Sequence, residues 1–162
     1  MKITESTHVI RFPDCDPFNH LNNSRYLDYF INAREDHEKD SLGFNVYEYA
    51  EKTGKSWVVG QNQIAYFFPA RLMEKVFIQS VILEWNASDI LIEMRMWNES
   101  KTKLKSILWT RFVHYDLKNL SKTEHSAELQ SQFQENISAT HKPITFEERV
   151  LAVRKKNYEE FY

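Results

Sequence analysis

The sequence predicts an α+β domain, with a helical stretch early in the chain, an antiparallel sheet after it and helices again at the end. Three observations carry that prediction. Apolar residues recur at helical spacing between Ser24 and Gly43, the period falls to two in four segments after Lys55, and helix-start signals return beyond Asp116. At 162 residues, 42% hydrophobic, the chain has the length of one domain that buries a core without disulfide or metal staples.

Taken in order, His8 to Phe12 alternates as a short strand, and Pro13 and Pro17 then bracket a loop from Asp14 to His20. Asn22 or Asn23 is placed to cap a helix running to Gly43. Tyr26, Leu27, Tyr29, Phe30, Ile31 and Ala33 cover more than half the circumference of its first two turns, which predicts burial on most sides. Arg34 to Asp40 is charged and is expected to emerge into solvent. A second, short helix is delimited by Asn45 and Glu48 in capping-box spacing and by Gly54.

Strands follow over Ser56–Phe68, Val76–Trp85, Ile90–Trp97 and Leu104–Asp116. Their connections, Asn86 to Asp89 and Asn98 to Lys101, are short and polar, so the strands form an antiparallel meander. Ser121 with Glu124 and Thr145 with Glu148 have capping-box spacing, and Phe146, Val150, Val153 and Phe161 share a helical stripe, so a helical tail is expected around a break at Pro143.

Composition removes several function classes. A lone Cys15 forms no intrachain disulfide, and no Cys/His cluster offers a metal its ligands, so no metal is expected. Three glycines cannot write a phosphate-binding Gly-rich loop. The net charge of -2 gives no general attraction to nucleic acid. MKITESTHVIRF lacks a secretory apolar run, and no stretch is apolar enough for a bilayer, so a cytoplasmic protein without membrane partners is expected.

The chemistry concentrates in DCDPFNHLNNSRYLDYF, Asp14 to Phe30. Two carboxylates, a histidine and two asparagines there feed a helix N-terminus, whose free N–H groups and partial positive charge stabilise an oxyanion. A carboxylate beside that terminus can activate water or attack a carbonyl. Asp, Asn and Pro are also the ordinary residues of loops and caps, and His20 alone is as readily a structural histidine.

This stretch resembles the signature of hotdog-fold acyl-CoA thioesterases, in particular the 4-hydroxybenzoyl-CoA thioesterase-like group. The matching pattern is D-x-D-x-x-x-H-x-N-N-x-x-Y, carried by Asp14, Asp16, His20, Asn22, Asn23 and Tyr26, with Ala33-Arg34 a further match. A second anchor, Tyr66-Phe67-Phe68-Pro69, resembles the group's aromatic-x-x-Pro. The resemblance spans His8 to Asp116 and departs where Asn19 replaces a common Gly, a position Asn tolerates because it adopts left-handed angles.

The resemblance implies a curved five-stranded antiparallel sheet around a long central helix over residues 1–120, with 121–162 a helical C-terminal extension of the same domain. It implies hydrolysis of an acyl-CoA to free acid and CoA, with no cofactor beyond the CoA of the substrate. Asp16 becomes general base or nucleophile, the backbone N–H near Asn23 polarises the thioester carbonyl, and His20 lines the site. Asn22, Tyr26, Pro69 and Arg71 become substrate-binding residues, Arg71 with Lys101, Lys103 and Lys105 as candidate cations for the CoA phosphates. A homodimer or dimer of dimers is also implied. Two alternatives stand beside this: a hotdog protein that binds an acyl thioester without cleaving it, and an enoyl-CoA hydratase, whose G-D-x-N-P-x-H order Asp16-Pro17-Phe18-Asn19-His20 lacks.

Overall fold

In the computed structural model, which describes residues 3–137 and 145–159, one antiparallel sheet curls around a single long helix. The chain runs β1 (Thr4–Val9), α1 (Tyr26–Leu42), α2 (Val46–Thr53), β2 (Lys55–Tyr66), β3 (Lys75–Trp85), β4 (Asp89–Asn98), β5 (Leu104–Asp116), β6 (Ser121–Lys122), α3 (Ala127–Asn136) and α4 (Phe146–Glu159). The sheet order is β1-β3-β4-β5-β2, with β6 added to β5. This is the hotdog arrangement that the resemblance implied.

Alternation places Val76, Ile78 and Ile82 of β3, Ile90 to Met96 at every second position of β4, and Leu108 of β5 against Phe30 and Ala33 of α1. The caps read from sequence hold where they are local. Asn45 Oδ1 accepts from Tyr47 and Glu48 N–H, and Gly43 and Gly54 end α1 and α2 at φ 65° and 68°, angles that a side chain disfavours. Thr145 and Glu148 form the reciprocal box at the start of α4. Pro143 and Phe161 lie outside the described residues.

Three expectations are corrected. The first strand ends at Val9, because Phe12 to Asp14 form a 3-10 turn around Pro13, and Ile10 instead exchanges backbone hydrogen bonds with Met73 and Glu74. Ser121 belongs to β6, and the cap of α3 is Ser126, whose Oγ accepts from Leu129 N–H. The second half of α1 does not wholly emerge, since Arg34 and His37 are buried where the helix crosses β1 and β3. Ser6 and Ser80 supply the polar partners: His37 Nε2 meets Ser6 Oγ at 2.9 Å, Nδ1 meets Ser80 Oγ at 2.8 Å, and Arg34 reaches Ser80 and Glu38. On β5, Ser106, Thr110 and His114 are buried with hydrogen-bond partners on β2, α2 and the segment after β6.

The C-terminal helices use both faces of the sheet. Phe133 of α3 packs against the inner core, while Phe146 and Val150 of α4 cover Leu91, Ile107 and Trp109 on the outside. Between them two histidine rings, His114 and His125, stack at 4.9 Å beside Trp57. His125 Nε2 accepts from the Trp57 indole N–H, which leaves Nδ1 to donate to the Asn86 carbonyl, so the ring is neutral with a fixed tautomer. His114 likewise points Nδ1 at the Glu124 carbonyl and accepts from the Tyr49 hydroxyl.

Burial lowers the pKa of both rings from 6.5, and for His114 the neighbouring His125 lowers it further. A histidine held neutral by the fold binds fewer protons than it does unfolded. Its contribution to stability is complete above the unfolded value of 6.5 and is lost as the pH falls through and below it. The expected result is a Tm that drops on acidification from pH 7.5 to 5, measured by thermal unfolding. A Tm that rises over that range would contradict the assignment. Among the described residues, no helix is long and apolar enough to cross a membrane.

Candidate active site

The loop between β1 and α1 is a small ladder closed by a tight turn. Cys15 pairs with Leu21, Asp16 N–H donates to the His20 carbonyl at 2.7 Å, and Asn19 takes the left-handed angle φ 60° that its replacement of glycine requires. The turn is fixed by its own acid: Asp16 Oδ1 accepts from the N–H of Phe18 at 2.9 Å and of His20 at 3.0 Å. Among the described residues, Oδ2 of the same carboxylate accepts no hydrogen bond, and the His20 imidazole makes none.

The loop is then tied to the segment between β2 and β3. Leu21 N–H donates to the Ala70 carbonyl, Leu72 N–H to the Asn19 carbonyl, and His20 bridges to Arg71. Tyr26, buried at the start of α1, accepts from Ala70 N–H at 3.1 Å, and its ring meets Tyr66 edge-on at 5.0 Å. Burial raises the Tyr26 pKa, so the hydroxyl stays protonated. Removing it in Tyr26→Phe leaves the buried Ala70 amide unpaired, expected to cost about 1–3 kcal/mol. Urea unfolding measures that loss, and an unchanged midpoint would remove the contact from the account.

At the other end of the loop the helix begins with a 3-10 turn, Asn23–Arg25, capped by Asn22 Oδ1 through Ser24 N–H. Asn22 N–H is held by the Asp14 carbonyl, and the Tyr66 hydroxyl donates to the Asn23 carbonyl at 3.1 Å. The Asn23 amide is the first of the turn and donates to no acceptor among the described residues. Asp14 is structural, accepting from the Tyr29 hydroxyl at 2.9 Å with Arg25 nearby.

The structure therefore brings Asp16, His20, Asn22, Asn23, Tyr26 and, through the backbone ladder, Pro69 to Arg71 into one loop cluster. Arg71 is exposed, and its guanidinium meets no partner among the described residues. The other predicted cations divide. Lys105 is buried, bonded to the Pro69 carbonyl and paired with Glu74 at 2.7 Å, so it supports the segment and cannot also serve an external phosphate. Lys101 pairs with Glu5 over the ring of Phe77, and Lys103 lies 5.7 Å from the centre of Phe68. Among the described residues no three His, Cys, Asp or Glu side chains converge as a metal site.

Sequence reasoning missed Lys105 and Glu74 as a pair that braces the Pro69 segment from below. They are 31 residues apart, and nothing local in the sequence signals the meeting.

A model of the thioesterase-like superfamily matches residues 10–137, most of the chain and all of this loop cluster. The chain belongs to the thioesterase-like superfamily. As a hotdog thioesterase it is a thioester hydrolase by family. Its fold is shared with YbaW, a probable thioesterase from Escherichia coli, at 22% identity and a TM-score of 0.72 over 83% of this chain and 99% of that one. It is shared too with Slr0204, a 1,4-dihydroxy-2-naphthoyl-CoA thioesterase from Synechocystis, at 13% identity and 0.73 over 87% and 100%. A third, SAV2348 from Staphylococcus aureus in complex with CoA, matches at 12% identity and 0.76 over 88% and 90%. A comparison with curated proteins finds no match.

Proposed function

We propose that this thioesterase cleaves acyl-CoA, with Asp16 as the catalytic carboxylate and the Asn23 amide as the oxyanion donor. The observation that carries the reading is the division of labour within Asp16. One oxygen is pinned by two backbone amides, which fixes the carboxylate, while the other has no partner among the described residues and is available to a water. Oδ2 takes a proton from that water as its oxygen adds to the thioester carbon. The carbonyl oxygen gains negative charge and accepts from the Asn23 N–H at the positive end of α1. The C–S bond then breaks, and the thiolate leaves and takes a proton. A thiolate is a good leaving group, so the step needs no strong general acid.

Arg71, exposed beside the loop and without a side-chain partner among the described residues, supports binding of an anionic CoA, and Pro69, Asn22 and Tyr26 shape the entry. His20 orients the loop and faces the substrate. The CoA complex of SAV2348, which shares this fold, supports the choice of CoA as carrier. We also propose a homodimer in the cytoplasm. In its favour, β2 is a long edge strand with an unpaired backbone row, and Val58 and Val59 stand exposed on it.

The test offers the purified protein acyl-CoAs with short, long and aromatic acyl groups and records free thiol. Release above the uncatalysed rate supports the reading. Silence across the panel, with a folded protein, overturns it.

A further inference from the structure

Two faces, one on α1 and one on β2, run from beside the Asn23 amide toward a large chamber at the other end of α1. The chamber, about 600 Å³, lies between α1, α2, β2, β5 and α3. On α1, Leu27 and Ile31 are spaced by four residues, followed by Glu35 and Glu38 in the lining, so one helical face runs from the first turn into the chamber. On β2, Tyr66, Ile64 and Asn62 face α1, opposite Ser106, Leu108 and Thr110. A bulge between Val59 and Gln61 then shifts the register, so that Val59 and Trp57 continue on the same face and reach the chamber. Gly60 sits at that bulge, where a Cβ would approach Val113 Cγ2 to 2.9 Å.

The walls mix polar side chains, among them Ser56, Gln132 and Asn136, with apolar ones that are incompletely buried. Phe44, Val46, Trp57, Phe112 and Phe133 each remain only part-buried while lining one hollow, within the size range of ligand pockets. Its charges do not invite an anion: Arg34 is paired with Glu38 at 3.0 Å, and Glu35 and Glu135 are exposed acids of the lining. The site suits uncharged hydrocarbon.

Resting on the thioesterase reading above, we infer that the chamber receives the distal part of a long, uncharged acyl chain, and that Phe133 of the C-terminal extension limits its length. At 1.5 Å of rise per residue, Ile31 lies about 12 Å along α1 from the Asn23 amide, so a short acyl group held there stays outside the chamber. A long one follows Leu27 and Ile64, passes Val59 and ends against Phe133. The extension thereby becomes part of the substrate site.

Butanoyl-CoA, decanoyl-CoA and tetradecanoyl-CoA are compared as substrates of the full chain and of Phe133→Trp and Val46→Trp, which fill the chamber from different elements. Binding of N-phenyl-1-naphthylamine, an uncharged apolar dye, is measured beside them. The full chain is expected to favour long chains, by up to about fourfold in kcat/KM for each methylene buried. Each variant is expected to lower the tetradecanoyl to butanoyl ratio at least tenfold and to weaken the dye. Hydrolysis whose chain-length profile neither variant moves overturns the chamber and leaves the thioesterase standing. Dye binding lost in the variants, from a protein that hydrolyses no thioester, supports the chamber while the thioesterase reading fails. Should Phe133→Trp fail to fold, Val46→Trp, away from the extension, decides alone.

Discussion

Asp16→Asn is expected to lower acyl-CoA turnover by roughly 10²- to 10⁴-fold, the usual worth of one general base. The substitution is informative because it separates chemistry from architecture. The amide keeps an Oδ1 that can accept from Phe18 and His20 N–H, so the turn that holds the loop is retained. Only the second oxygen, which takes the proton, is replaced by an NH₂ that donates and cannot accept. KM is expected to change little and kcat to carry the loss, because the interaction is made in the transition state. Asp16→Ala also removes the caps of the turn, so its extra loss over Asp16→Asn reports what the fixed loop contributes. Steady-state thiol release settles it, and near-normal kcat in the folded Asn variant would remove Asp16 from the mechanism.

The largest expected effect on stability belongs to Glu93→Gln. Glu93 is 0% exposed on the outer face of β4, and it accepts from Arg149 of α4, from Arg95 and from the Trp109 indole. Burial alone would raise its pKa, but Arg149, Arg95 and Trp109 outweigh burial and hold it down at about 2. Neutralising it leaves two part-buried guanidinium groups without their counter-charge, a loss of about 3–5 kcal/mol for one partner of a buried pair. For a chain of this size that amounts to roughly 6–20 °C of Tm. Because Arg149 is the tie between α4 and the sheet, limited proteolysis should cut the extension first. A Glu93→Gln protein with unchanged Tm would show that Phe146 and Val150 alone hold α4.

The legible parts of this protein are those whose causes lie within a few residues. Asn45 with Gly54, Thr145 with Glu148, and the strict alternation of Ile90 to Met96 are local, and the structure follows them. The Asp16 loop was visible for the same reason, since its carboxylate, histidine and capping asparagine are consecutive turns of one short segment. Polar residues whose role depends on a distant partner were not. Arg34 and His37 read as a solvated helix face, yet the serine that accounts for their burial, Ser80, is 43 residues from His37. Glu93 alternates with the apolar residues of β4, and its burial depends on Arg149, 56 residues on. Ser106, Thr110 and His114 alternate with apolar residues of β5, and periodicity reveals that alternation but not which side a helix will cover.

The bulge in β2 makes the length of that strand a discrete quantity. Tyr66 touches the first turn of α1 and Trp57 touches the histidine stack, and both face inward only because one residue between them is left out of the ladder. Drawing Gly60 into the ladder would shift the pairing by one and turn Trp57, with its bond to His125, to the opposite side of the sheet, whereas deleting Gly60 would leave Trp57, Val59 and Asn62 on one face. The bulge thus absorbs one residue of length in this strand, and the attachment of the C-terminal helices depends on that residue staying outside the ladder.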